Sequence, residues 1–294
     1  MLKATLVLLL SFASSWAQAQ PGTGAGPATP LPSQRIVLVT GSTDGLGREV
    51  ARRLAAQGAH VIVHGRNVER GRAVVDQITA SGTGSARFYQ ADFSSLADVR
   101  RLVADIRRDY DRLDLLINNA GIITQERRVS ADGVEMQLAV NYLAGVQLTY
   151  ALLPLLENGR APRIVNVSSV SASPIDFADV MLERDYSPSR AYGQSKLAQV
   201  MFTIDLAEEL KGRGIVVHAL HPAGYMDTTM VRSAGGTPRT TVAEGAEAVL
   251  HVVATGAPSG RYFVGKEIGT PHPQAADAEA RRQLRALSRR LIGM

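Results

Sequence analysis

Tyr192-Gly193-Gln194-Ser195-Lys196 sets a phenol and an ammonium four residues apart. On a helix that spacing puts both side chains on one face, one turn from each other. A free tyrosine titrates near ~10 and is a poor base at neutral pH. A neighbouring ammonium favours the phenolate and brings that value down, so the pair suits proton transfer to and from an oxygen. With 8 tyrosines in the chain and Lys3, Lys196, Lys211 and Lys266 as its lysines, chance supplies roughly 0.1 such pairs. The spacing is informative but not sufficient, because an exposed helix pair would look the same.

The elements that would position this pair alternate regularly. Ile36 to Val39 reads as a strand, Arg48 to Gln57 as a helix, His60 to His64 as a strand and Asn67 to Thr79 as a helix. Arg87 to Gln90 is a third strand, and Ser95 to Tyr110 a third helix capped by Ser94 or Ser95. Leu113 to Ile117, Ile164 to Val167, Ile215 to Leu220 and Tyr262 to Val264 complete the strands. Gly133 to Leu156, Ala191 to Lys211 and Gln274 to Ile292 read as further helices. Apolar strands alternating with helices predict an α/β fold, a doubly wound parallel sheet (Rossmann fold) in a single domain with a small substrate lid.

The first strand runs into Thr40-Gly41-Ser42-Thr43-Asp44-Gly45-Leu46-Gly47 and then a helix. Gly41 permits a tight turn, Gly45 lets backbone approach a pyrophosphate, and the helix N-terminus offers N–H donors and the positive end of its dipole. A glycine triplet alone is weak, but strand, turn and helix in one βαβ unit are the context that gives it meaning. The second strand ends His64-Gly65-Arg66-Asn67. An NAD site would carry an acid there for the ribose 2′-hydroxyl. Arg66 can instead fork onto a 2′-phosphate, with Gly65 leaving room, and Arg48 is a second candidate cation. NADP(H) is the expected cofactor, bound through residues 41–47, Arg66 and Asn67. No acidic or histidine cluster has metal-ligand spacing, so no metal is expected; His64, His218 and His221 read as packing or turn residues.

The glycine turn is spaced Gly-x-x-x-Gly-x-Gly. With Ala91-Asp92-Phe93, Asn118-Asn119-Ala120-Gly121, Val165-Asn166-Val167-Ser168-Ser169 and Tyr192 to Lys196, it resembles the short-chain dehydrogenase/reductase family over about residues 34–270. The segment from Ser173 to Pro188 and the run Tyr192 to Ala198 resemble the branch of retinol dehydrogenases, protochlorophyllide reductases and WW-domain oxidoreductases. The resemblance implies hydride transfer between the nicotinamide and a carbonyl or alcohol carbon. Asn141, Ser169, Tyr192 and Lys196 would form the catalytic tetrad, with Ser168 as the alternative serine. Tyr192 would move the proton, Ser169 bind the substrate oxygen, Lys196 hold the nicotinamide ribose, and Asn141 complete a water relay. By the same resemblance Asp92 and Phe93 would flank the adenine, and Asn119, Ala120, Gly121 and Pro222 would line the cofactor. His221-Pro222-Ala223-Gly224 departs from the family's Pro-Gly, and Thr228 fits only with a one-residue shift.

The chain has 294 residues, no cysteine and net charge +5. Without cysteine there are no disulfides or thiol nucleophiles. Arginines such as Arg52-Arg53 and Arg107-Arg108 are scattered as solvated helix faces, so no nucleic-acid partner is expected. Residues 1–19 read as a signal peptide, with Lys3, an apolar run from Leu6 to Phe12 and Ala17-Gln18-Ala19. Residues 20–33 follow as a flexible linker, and 34–294 as the catalytic domain. The leader points to export or a periplasmic location and to no membrane span once cleaved; an uncleaved anchor or a misassigned start would leave the protein cytoplasmic. The expected partner is a small carbonyl or alcohol substrate, apolar if Met181, Met226, Met230 and Tyr225 line a lid built from Ser173–Arg190 and Tyr225–Thr240. A homo-oligomer is left open. Two rivals stand beside the enzyme: a nucleotide-binding sensor or scaffold without catalysis, which has no use for the Tyr192–Lys196 pair, and an epimerase or dehydratase, for which the chain is short.

Overall fold

Strands that read as unbroken apolar runs are stable only when both faces are covered, and Ile36–Val39 (β1) and Leu115–Asn118 (β4) are buried along their whole length. The computed structural model describes residues 28–294, so the expected leader and the first part of the expected linker lie outside the described residues. Near its end the linker stretch is held down, because Arg112 donates to the carbonyls of Pro32 and Gln34.

The remaining elements follow in alternation: α1 (Gly45–Ala56), β2 (His60–Gly65), α2 (Val68–Ser81), β3 (Ser85–Gln90) and α3 (Leu96–Asp109) precede β4. After it come α4 (Met136–Leu138), a π-helical turn (Ala139–Leu143), α5 (Ala144–Glu157), β5 (Arg163–Val167), α6 (Pro188–Glu209) and β6 (Val216–His221). The chain closes with α7 (Thr229–Ser233), α8 (Val242–Ala254), β7 (Arg261–Val264), β8 (Glu267–Ile268), a 3-10 turn (Pro273–Ala276) and α9 (Ala278–Ile292). The eight strands form one sheet in the order β3-β2-β1-β4-β5-β6-β7-β8. Pairing is parallel through β7, and β8 runs antiparallel at the edge.

Alternate side chains feed opposite layers. Leu38, Ile62, Leu116 and Ile164 pack under α3, α5 and α6. Val39, Val63, Ile117 and Val165 pack under α1 and α8. Strand order reverses between β1 and its neighbour β4, so the carboxyl ends of these two strands open a crevice at the switch point.

Several boundaries differ from the sequence expectation for identifiable reasons. Helix α1 starts at Gly45 rather than Arg48, because the Asp44 carboxylate accepts the Gly45 N–H and caps it inside the glycine turn. Ser95, not Ser94, caps α3. The helix expected from Gly133 starts at Met136, where Glu135 accepts the N–H groups of Gln137 and Leu138, and it widens to a π-turn over Ala139–Leu143. Helices α7 and α8 and the β8 return were not foreseen. The C-terminal helix is fastened to α6 and the π-turn. Arg281 and Arg285 both reach Asp205 on α6 (2.8 and 2.6 Å), and Tyr142 of the π-turn shares a 2.7 Å hydrogen bond with Ser288. Leu284, 2% exposed, supplies the apolar contact. Leu284→Ala is expected to lower unfolding free energy by about 2–4 kcal/mol in urea titration; an unchanged stability would mean α9 is dispensable to the core.

Candidate active site

The glycine turn is built by close approach. Gly41 has φ +63, and a Cβ there would sit 2.9 Å from the Ala120 Cα. A Cβ on Gly47 would stand 2.3 Å from the Gly41 carbonyl and 2.4 Å from Asn119 Nδ2, so α1 can meet β1 only with glycine here. Asn119 Nδ2 donates to the carbonyls of Thr40 and Gly41 (2.8 and 3.2 Å), strapping β4 to the turn. His64 lies beneath it. Its Nδ1 accepts the Gly41 N–H at 3.1 Å and its ring stacks on Phe93 at 4.3 Å, while burial pushes its imidazole down to about 4. Neutral at physiological pH, it serves the turn rather than a ligand. The Ser42 hydroxyl is also turned inward, donating to the Val39 carbonyl at 2.7 Å. Leu46 and Phe93 are core residues, and Asn67 caps α2 by accepting the Arg70 N–H at 2.8 Å. His64, Ser42, Leu46 and Phe93 thus shape the turn through packing.

At the end of β2, Arg66 is largely exposed, 3.9 Å from Asp92, whose other oxygen accepts the Ser94 N–H. The structure therefore brings together the two residues expected at the adenosine end. The space beside Gly65 is not vacant as expected: a Cβ there would be 2.5 Å from Thr43 Cγ2, so glycine admits the Thr43 side chain. Arg48 is not with Arg66. It lines a cleft of about 420 Å³ with Asp44, Gly45, Asp227, Thr228 and Arg232, between the N-terminus of α1 and α7. Thr228, doubtful from sequence, lies across from the second glycine, its Cγ2 3.2 Å from where a Gly45 Cβ would be, and it caps α7. Asp44 was expected only as part of the turn. It also accepts from Thr229 Oγ1 at 2.7 Å and pairs with Arg70 at 3.4 Å. Burial pushes the Asp44 carboxyl up, but Thr229, the Gly45 N–H and the nearby arginines outweigh it and hold the group below its ordinary range. The positive end of α1 thus already faces one carboxylate.

The chemical end gathers where β4, β5 and the π-turn converge on α6. Lys196 is 3% exposed, and its Nζ donates to the Val167 carbonyl at 2.8 Å and to Gln199 Oε1 at 3.0 Å. Burial alone pushes this amine down to about 7. Tyr192 lies on the same face of α6, its ring centroid 5.4 Å from Lys196 Nζ. Ser168 donates to the Lys196 carbonyl at 2.7 Å and is committed to α6, whereas Ser169 is the hydroxyl that bears on the Tyr192 phenol. Asn141 sits in the π-turn; its Oδ1 accepts the Ile122 N–H at 2.7 Å, and its Nδ2 donates to the Ile122 carbonyl and to Ser195 Oγ at 3.0 Å. Gly121 faces this group: a Cβ there would stand 3.5 Å from Asn141 Oδ1, 3.6 Å from Lys196 Nζ and 3.7 Å from Met230 Cε.

One electrostatic expectation is reversed in the cofactor-free chain. Burial raises the Tyr192 phenol, and the Ser169 hydroxyl only partly opposes that. The ammonium cannot compensate fully because its own charge is disfavoured by the same burial. The phenol therefore rests protonated.

Of the expected lid, segment Ser173–Arg190 is bonded to its surroundings: the Ile175 N–H donates to Gln274, Gln194 donates to the Val180 carbonyl, and Tyr186 donates to the Thr124 carbonyl. Met181 and Met226 pack against the two cores, Tyr225 is exposed under Arg239, and only Met230 of the four reaches the Lys196 site. Sequence reasoning passed over Arg70, Gln199 and Thr229. Gln199 was discoverable in principle, one helical turn beyond Lys196.

The residues present fit a dinucleotide. A glycine turn opens a helix N-terminus at the switch point, an arginine ends β2, and Gly121, without a side chain, adjoins the one buried lysine among the described residues. Lys196 also makes stability depend on pH. Folding moves its amine from an ordinary 10.5 to about 7, so across that window the unfolded chain holds a proton that the folded chain has lost. Stability conferred by this group is complete above the unfolded value and falls away as pH drops toward 7. Relative to Lys196→Met, the wild type is expected to gain roughly 1 kcal/mol per pH unit between pH 7 and 10. A pH-independent difference in urea titrations would show that the amine is not desolvated.

The model of the short chain dehydrogenase family matches residues 35–238. The chain is 37% identical over 291 residues to mouse polyprenol dehydrogenase (91% of this chain, 86% of the relative). It is 36% identical over 302 residues to human retinol dehydrogenase 13 (92% and 88%). Among solved structures it resembles a Burkholderia cenocepacia short chain dehydrogenase in complex with NADP, with TM-score 0.64, 30% identity and coverage of 79% and 95%. An Escherichia coli short chain dehydrogenase complexed with NADPH gives TM-score 0.64, 30% identity and coverage of 79% and 97%. The chain belongs to the short chain dehydrogenase family, on its retinol dehydrogenase branch.

Proposed function

We propose that this oxidoreductase uses NADP(H) to interconvert an apolar alcohol and its carbonyl compound. The observation that carries the reading is the convergence of Ser169, Tyr192, Lys196 and Asn141 beside Gly121 at the carboxyl end of the sheet. Residues 41–47, Arg66, Asp92 and residues 119–121 would hold the dinucleotide, with Thr228 against Gly45 and Pro222 closing the nicotinamide side. When bound, the cofactor supplies or accepts the hydride.

The chain's own groups do the rest. Ser169 donates a hydrogen bond to the substrate oxygen and polarises it. Tyr192, protonated at rest, gives its proton to that oxygen as negative charge develops there, which favours the reductive direction. Lys196 holds the ribose side of the site and, when charged, eases loss of the Tyr192 proton. Asn141 keeps Ile122 and Ser195 in place behind the lysine. Arg66 supports the phosphorylated nucleotide, since no acid ends β2 and a guanidinium suits a 2′-phosphate. The substrate class rests on the relatives named for retinol and polyprenol and on Met230 and the exposed Val170 next to Ser169.

Tyr192→Phe is expected to lower NADPH oxidation by roughly 10²–10⁴-fold with an isoprenoid aldehyde while NADPH affinity is kept. Retained turnover would refute the proton-donor role. Arg66→Glu should weaken NADPH by roughly 10–100-fold and leave NADH nearly unaffected. Equal losses for the two nucleotides would contradict the 2′-phosphate assignment.

A further inference from the structure

Lys196 has three ammonium protons, and two of them are used inside the protein. One goes to the Val167 carbonyl, a backbone group that no substitution at this position alters, and the other to Gln199 Oε1. Gln199 is 4% exposed and sits one helical turn after Lys196 on α6. A buried glutamine is costly unless its polar atoms are engaged, and its carbonyl is engaged by the amine that faces the cofactor space. The third proton is left without a protein acceptor among the described residues, and Gly121, which has no side chain, adjoins the amine, an added Cβ there lying 3.6 Å from Nζ.

We propose that Gln199 is a positioning residue, its side-chain carbonyl holding Lys196 Nζ from behind and governing the charge on that amine while the cofactor binds. This rests on the nucleotide reading above. The titratable groups around Lys196 come from several elements. From α6 there is the Tyr192 phenol, raised by burial; from β6 there is His221, which burial and the nearby Lys196 charge push down; behind Tyr192, from β7, there is Tyr262. Asn141, Ser168 and Ser169 are uncharged. Burial lowers the amine and no carboxylate among the described residues acts on it, so an acceptor 3.0 Å away is well placed to bias its protonation.

Replacing that acceptor changes the amine in opposite directions depending on what is put in. Gln199→Glu sets a carboxylate against Nζ and favours the ammonium. Gln199→Met keeps the volume and removes the acceptor, favouring the neutral amine. The experiment is NADPH binding by the full chain, followed through nucleotide fluorescence from pH 6 to 10, alongside urea stability of the cofactor-free variants over the same range. Binding is expected to weaken above a midpoint that moves up by about one pH unit in Gln199→Glu and down by about one in Gln199→Met. The stability profile of the cofactor-free chain should shift in the same two directions. If Gln199→Met fails to fold, the direction of the Gln199→Glu shift decides alone. Unmoved midpoints, or shifts in one direction for both variants, would overturn the role of Gln199. A wild type that binds no NADPH while its stability profile still responds to both variants would overturn the nucleotide reading and leave the Gln199–Lys196 coupling standing.

Discussion

An ammonium 3% exposed in the interior of a folded chain is expensive, and the arrangement of the site follows from the way Lys196 is accommodated. The amine is met by the Val167 carbonyl, a backbone acceptor at the end of β5, and by the buried Gln199 side chain on its own helix. The bond to Val167 joins α6 to the end of β5 and sets the side of the helix that carries Tyr192, one turn earlier, toward the same place. The Ser168 hydroxyl also bonds the Lys196 carbonyl and locks the β5 end to the helix, leaving Ser169 as the hydroxyl beside the phenol. Burial that makes the lysine costly raises the phenol as well, so the site rests as a proton donor.

The cofactor end has a different logic. Its tolerances are steric rather than electrostatic: Gly41 against Ala120, Gly47 against the Gly41 carbonyl, and Gly65 against Thr43. The turn is stitched to β4 by Asn119 and to β2 by His64, so both neighbours of β1 at the switch point hold it in shape. Asp44 links this rigid turn to α7 through Thr229. The segment carrying Met230 toward the lysine is thereby tied to the same helix N-terminus that would receive a phosphate group.

Most of this was legible in the sequence because the demands are local. A strand, a glycine turn and a helix announce themselves through periodicity and residue type, and Tyr192 and Lys196 through their spacing. What stayed hidden depends on contacts between distant segments. Nothing local shows that Arg48 faces the α7 cleft rather than Arg66, that Met181 packs inward, or that Thr43 fills the room beside Gly65. The π-turn at Asn141 lies in a helix held by distant contacts, by Glu135 at its start and by Tyr142 to Ser288 at its side. The sign of the Tyr192 shift depends on burial, which spacing does not report.

The most direct measurement is a crystal structure of the full chain with NADP⁺ bound. The nicotinamide ribose is expected between Gly121 and Lys196, with the ring beside Tyr192, the 2′-phosphate at Arg66, and the Lys196 contacts to Val167 and Gln199 preserved. A dinucleotide lying elsewhere, or one whose ribose is held without Lys196, would contradict the assignment of this site.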